Sequence, residues 1–174
     1  QLRDDFRFHS SFSFELTQAA GGGPAGPGVN GPGADGFTFV VTTGPNGPAV
    51  VGAVGGAIGL DGMSANYVAV EFDTWPGGSF DGGIPLGQVH IGVDSSGTTV
   101  VAPGSLGTAA VPRFNDGGVH YAWVDYYGNI KQMQVFLSST NVKPELPSLT
   151  VNLDVAAILG YANEDVFMGF TAGT

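Results

Sequence analysis

Short runs that alternate apolar and polar side chains, each closed by glycine, proline or asparagine, fill this chain from end to end. A period of two sends successive side chains to opposite faces of an extended backbone, so each run reads as a strand with one buried face. Arg3 to Leu16 alternates through Phe6, Phe8, Phe12 and Phe14, and Gly36 to Val41 does the same. Further strands are expected at Val50–Val54, Ala57–Leu60, Tyr67–Thr74, Gln88–Asp94, Thr98–Val101, His120–Tyr127, Ile130–Ser138, Ser148–Leu153 and Val166–Thr171. Asp125 to Asn129 looks like a hairpin connection. Only Asp154 to Gly160 carries helix signals, an Asp that can cap the first turn and a Gly that can end the last. Many short strands joined by such turns predict an all-β fold, an antiparallel sandwich or barrel.

Bulk properties set the limits. With 174 residues, 43% of them hydrophobic, the chain can build one real core, and a single domain over residues 1–174 is expected. Thirty glycines and eleven prolines approach a disordered composition, and the strand-like runs between them decide against it. A net charge of −10 with five basic residues argues against nucleic acid or an anionic membrane as partner. Cations and neutral ligands stay open. The absence of cysteine excludes disulfides and leaves the redox compartment undetermined. No apolar run approaches the ~20 residues of a membrane span, and no signal-peptide pattern precedes Gln1, so a cytosolic or an already processed chain is expected, the latter favoured. Residues 19–34 (AAGGGPAGPGVNGPGA) are read as a Gly/Pro-rich surface loop rather than an interdomain linker, because the strands on both sides match in character.

The segment Val68 to Trp75 carries the chemistry. Glu71 and Asp73 lie two apart on one strand and project from the same face. A turn-rich stretch with Asp81 follows, and the next strand brings His90. Like charges on one face repel unless a cation lies between them, so metal binding is the sharp expectation. Oxygen ligands with one imidazole suit calcium, with a neighbouring transition ion such as manganese. A solvated acidic face with a satisfied histidine is the plain alternative. Asp61, Asp94 and Asp125 are weaker ligand candidates, more often turn or strand-end residues, and His9 and His120 read as structural. Trp75, before Pro76-Gly77-Gly78, offers either a stacking face for a sugar ring or a core edge; Trp123, in mid-strand, reads as core.

Catalytic patterns are thin. There is no cysteine nucleophile, no G-x-S-x-G elbow and no phosphate loop at a strand–helix junction. Glu71 and Asp73 imitate the two carboxyls of a glycoside hydrolase, yet the next residue on that face is Trp75, which is neither acid nor base.

Taken in order, the motifs resemble those of legume-type (L-type) lectins, of which the bacterial and other non-plant branch is expected. Ala34 to Val41 is similar to the ADGFAFF strand of that family, Val54 to Leu60 to its glycine turn, and Tyr67 to Trp75 to VAVEFDTW. His90 to Asp94 is similar to HIGID, Trp123 to Leu137 to a hairpin, and Val166 to Ala172 to VYVGFSA. The resemblance implies a concanavalin A-like jelly roll of two sheets; measured against that pattern, terminal strands are expected to be missing at both ends, supplied by the same polypeptide, by self-association or by another chain's complementing strands. It implies calcium and manganese, or another transition metal. Glu71, Asp73, Asp81 and His90 would hold the transition ion; Asp73, the Trp75 carbonyl and Asp81 would hold calcium. Asp35 would bind sugar hydroxyls, Gly56 would donate its N–H, and Trp75 would stack. Gly77 stands where the family has an Asn that ligates calcium and bonds the sugar. The expected function is calcium-dependent glycan binding at an extracellular or cell-surface location, without catalysis. The alternative is a structural or adhesive module that keeps the sandwich and has lost the sugar.

Overall fold

The computed structural model describes residues 5–17, 35–43, 49–75, 84, 88–96, 106–160 and 165–173. Two antiparallel sheets account for nearly all of its regular structure. The back sheet has the order β1-β6-β7-β8 and the front sheet β5-β4-β3-β2-β9. The strands are β1 (Arg7–Glu15), β2 (Gly36–Thr43), β3 (Tyr67–Asp73), β4 (His90–Ser95), β5 (Gly107–Ala110), β6 (Val119–Tyr127), β7 (Gln132–Ser138), β8 (Leu149–Asn152) and β9 (Val166–Gly173). The all-β jelly-roll sandwich expected from the sequence is the fold observed. One helical turn, α1 (Val155–Ile158), is capped by Asp154, whose Oδ1 accepts the Ala157 N–H at 3.0 Å.

The core lies between the sheets and is rich in phenylalanine. Phe37 and Phe72 stack in parallel at 4.8 Å, and Phe12, Phe14 and Phe39 close around them. Offset and edge contacts of this kind add to area burial, so the rings fix strand register as well as fill space. On β3 the inward residues are Val68, Val70 and Phe72, which leaves Tyr67, Ala69, Glu71 and Asp73 on the other face. That face is buried too. Residues 49–66 fold over it, and Ile58 and Leu60 pack on Val40, Tyr67 and Ala69 as a second apolar cluster. A strand covered on both sides gives Glu71 and Asp73 little solvent.

Several local expectations change. Val50–Val54 and Ala57–Leu60 are not strands. They form a glycine turn containing a short 3-10 segment (Gly55–Ala57), with Gly55, Gly59 and Gly62 at positive φ. Ile58 takes a left-handed conformation (φ 39°) that a β-branched residue rarely adopts. Thr98–Val101 and the 19–34 loop lie outside the described residues, and β5 is a strand the sequence did not announce. Trp123 is not core: its strand neighbours Ala122 and Val124 point inward, so the indole faces out from the back sheet, stacked on Tyr121 at 6.5 Å. Along the flank between β1 and β9, Met168 and Phe170 are 46% and 58% exposed, although their partners Val41 and Phe39 on β2 are buried.

Candidate metal and carbohydrate site

Register assembles the acids. Asp73 on β3 lies opposite His90 on β4, and Glu71 lies opposite Gly92. His90 Nε2 is 3.4 Å from Glu71 Oε1 and 4.0 Å from Asp73 Oδ2, and the donor atoms of all three residues fall within 4.8 Å of one another. All three are buried, and neither nitrogen of the fully buried His90 makes a hydrogen bond. A buried imidazole without hydrogen bonds, aimed between two carboxylates, is poorly solvated by protein alone. Two carboxylates and an imidazole at this spacing are a donor set for a divalent ion. The described residues fit a divalent metal ion.

Gly92 makes the arrangement possible. A Cβ on it would stand 2.0 Å from Glu71 Oε1, so any side chain here would push the carboxylate out of place. Asp94, on the same face of β4, is fully buried. Burial, then the negative charge of Glu71, pushes its carboxyl up to about 9, with His90 opposing. Asp94, a weaker ligand candidate on the sequence, lies near the end of β4 and is a member of this acidic group. Tyr67, at the far end of the group, is pushed up to about 12 by burial and by the charges of Asp94 and Asp61.

The sugar-binding candidates meet at the end of the front sheet. Asp35 precedes β2; its N–H donates to Gly173 O at 2.9 Å, and its carbonyl accepts the Thr74 N–H at 2.9 Å and the Thr74 hydroxyl at 3.1 Å. Burial raises the Asp35 carboxyl from its ordinary value. A methyl group built on Gly55 would lie 3.8 Å from Asp35 Oδ2, so the glycine turn holding Gly55 and Gly56 borders that carboxylate. The Trp75 N–H donates to Asp73 Oδ1 at 2.5 Å, and its side chain is 42% exposed. This backbone hydrogen bond fixes the main chain at Trp75 beside the acid cluster. Gly77 and Asp81 lie outside the described residues.

The other histidines each meet one carboxylate. His9 Nδ1 is 3.1 Å from Asp125 Oδ1 on the outer face of the back sheet, and Lys143 holds the other oxygen while standing 4.1 Å over the Phe136 ring. His120 Nε2 is 2.9 Å from Asp116 Oδ1, and that bond, with the Gly118 N–H, holds the Asp116 carboxyl below its usual range. Asp125, a weaker ligand candidate on the sequence, lies near the end of β6, buried and ion-paired. Asp61 is a turn residue, its carbonyl accepting the Ala53 N–H at 2.7 Å.

The two-sheet jelly roll, with an acid–histidine group on β3 and β4 beside a glycine turn and an exposed tryptophan, places the chain among lectin-like β-sandwiches. A family model described as the legume lectin domain matches residues 2–174, and the chain belongs to that family. Among curated proteins it is similar to L-type lectin-domain containing receptor kinase VIII.1 of Arabidopsis thaliana, 30% identical over 96% of this chain and 21% of the relative. Probable L-type lectin-domain containing receptor kinase S.7 of the same plant is 31% identical over 71% of this chain. The chain spans about a fifth of the length of these relatives. Among solved structures it is similar to a lectin from Bauhinia forficata in complex with GalNAc (25% identity, TM-score 0.68, all of this chain and 68% of that one). It is also similar to winged bean acidic lectin complexed with methyl-alpha-D-galactose (27%, TM-score 0.68, 96% and 61%). These relatives are plant proteins, so the expected bacterial or non-plant branch has no support.

Proposed function

We propose that this domain binds glycans, without catalysing a reaction, through a site whose shape depends on bound divalent cations. Glu71, Asp73 and His90, with Asp81, would hold a transition ion such as manganese; Asp73, the Trp75 carbonyl and Asp81 would hold calcium. The ions would supply positive charge that lets buried acids stay ionised and fixes the segment from Asp73 to Trp75. Asp35 would accept hydrogen bonds from sugar hydroxyls, Gly56 would donate its N–H, Gly77 would line the same mouth, and Trp75 would stack on the ring. The observation that carries this reading is the hydrogen bond from the Trp75 backbone N–H to Asp73, which holds the main chain that bears the exposed indole against the acid–histidine cluster. The lectins named above were solved with GalNAc and a galactoside, which supports the sugar class without fixing specificity. An extracellular or cell-surface location is supported by the lectin-domain receptor kinases among the relatives. Among the described residues no helix is long and apolar enough to cross a membrane.

A glycan array probed with and without calcium and manganese tests the proposal. Signal that chelator removes and Asp35→Asn abolishes is expected; signal untouched by both would move the site elsewhere. Gly77, in place of an amide that would serve ion and sugar together, favours a second reading, a structural or adhesive module. A blank array with intact ion binding would select it.

A further inference from the structure

We infer that Thr171, on β9, is the positioning residue of the glycine turn, an inference that rests on the glycan-binding reading above. The turn is held in shape by its own backbone: Gly52 N–H to Gly59 O at 2.7 Å, Gly59 N–H to Ala53 O at 2.8 Å and Ile58 N–H to Gly55 O at 2.9 Å. These bonds set its curvature and say nothing about where it sits. Its placement comes from the packing of Ile58 and Leu60 on Val40, Tyr67 and Ala69 and from a tether to β9. The Thr171 hydroxyl donates to Ile58 O at 2.7 Å, at the left-handed residue that closes the 3-10 segment.

A hydroxyl has one proton, so the 2.6 Å contact between Thr171 Oγ1 and Thr38 Oγ1 has Thr38 as donor. Thr38 is fully buried on β2 and lies opposite both Thr171 and Glu71 in register. It therefore orients the Thr171 hydroxyl toward Ile58. Close packing reinforces the tether: a Cβ on Gly59 would lie 2.7 Å from Thr171 Cβ, and one on Gly173 would lie 2.4 Å from Gly55 O. Gly173 O also accepts the Asp35 N–H. The last three residues of β9 thus locate the turn and the acidic sugar ligand against one another, and Thr171 is the side chain in that set that bonds to the turn.

Thr171→Val keeps the shape and removes the hydroxyl. Amide exchange at Ile58 and Gly59 is expected to accelerate relative to the β3 amides, while manganese affinity stays within about twofold. On galactose or N-acetylgalactosamine, whichever the wild type binds, the Kd is expected to rise roughly tenfold, the scale of one well-placed hydrogen bond. Thr171→Ser should restore both readouts. Unchanged exchange and unchanged Kd in the Val variant would overturn the inference. If the wild type binds no sugar, the glycan reading fails, and the exchange arm alone decides the tether: faster exchange sustains it, equal exchange removes it. If Thr171→Val does not fold, Thr38→Val is read on the same two amides, with a smaller acceleration expected and none counting against the tether.

Discussion

Two acid–histidine groups built on buried carboxyls sit on opposite sheets of this sandwich, and they are balanced differently. On the back sheet one carboxylate, Asp125, faces His9 and Lys143, with the Tyr127 hydroxyl at 3.4 Å from the same oxygen that Lys143 holds. On the front sheet three buried carboxyls, Glu71, Asp73 and Asp94, crowd one imidazole. Where the chain needs a buried acid for structure it supplies a lysine, although it has only five basic residues to spend. On the proposed reading, the excess negative charge at Glu71 and Asp73 is balanced by a cation from outside the chain. That reading contrasts a structural ion pair with a binding site.

The largest expected effect follows from that excess. An ion present at about 100 times its Kd stabilises the folded state by ~2.7 kcal/mol, which in a chain of this size raises Tm by roughly 5–10 °C. Calcium with manganese should produce this shift, chelator should reverse it, and Asp73→Asn or Glu71→Gln should remove most of it. Thermal melts of the three proteins with and without ions are the measurement. A wild type whose Tm ignores both ions would erase the contrast between the two groups.

Gly92→Ala sharpens the comparison sterically. The new methyl displaces Glu71 without touching any charge, so ion affinity measured by calorimetry should fall at least tenfold. Overpacking of this kind costs about 1–3 kcal/mol, so a lower Tm in chelator is expected too. Retained ion affinity would mean that Glu71 is not a ligand.

The sequence carried the first half of this site and hid the second. Alternation from Val68 to Trp75 placed Glu71 and Asp73 on one face, and the register observed with β4 brings His90 to Asp73. Asp94, a weaker candidate on the sequence, and Gly92 share that face, but attention to ligand types passed over a glycine whose function is to be small. Trp123 was misread for the converse reason: residue type suggested core where alternation pointed out of the sheet. Val50–Val54 and Ala57–Leu60 look like strands by composition, and positive φ at Gly55, Ile58 and Gly59 curls them into a turn instead. His9 and Asp125 are far apart in the chain, so only the pairing of β1 with β6 reveals them.

The back-sheet group gives a smaller effect and a control. Lys143→Met keeps much of the packing on Phe136 and leaves Asp125 with His9, so a loss of about 1–3 kcal/mol is expected, the scale for leaving a buried charged group poorly partnered. That loss should be the same with and without ions. An ion-dependent loss would join the two groups that the comparison holds apart.

The smallest effect belongs to Asp116, whose carboxyl is half-exposed beside His120. Its hydrogen bonds to His120 and to the Gly118 N–H lower its folded value below 3.8, the ordinary one. A lowered carboxylate contributes stability that is present above the unfolded value and is lost as pH falls through the folded one. Asp116→Asn should therefore melt slightly below the wild type at neutral pH and converge on it as pH drops below 3.8. Solvent screens so exposed a pair, so the gap should be near the limit of a melting measurement. A gap that widens in acid would show that the histidine, and not the carboxylate, governs this loop.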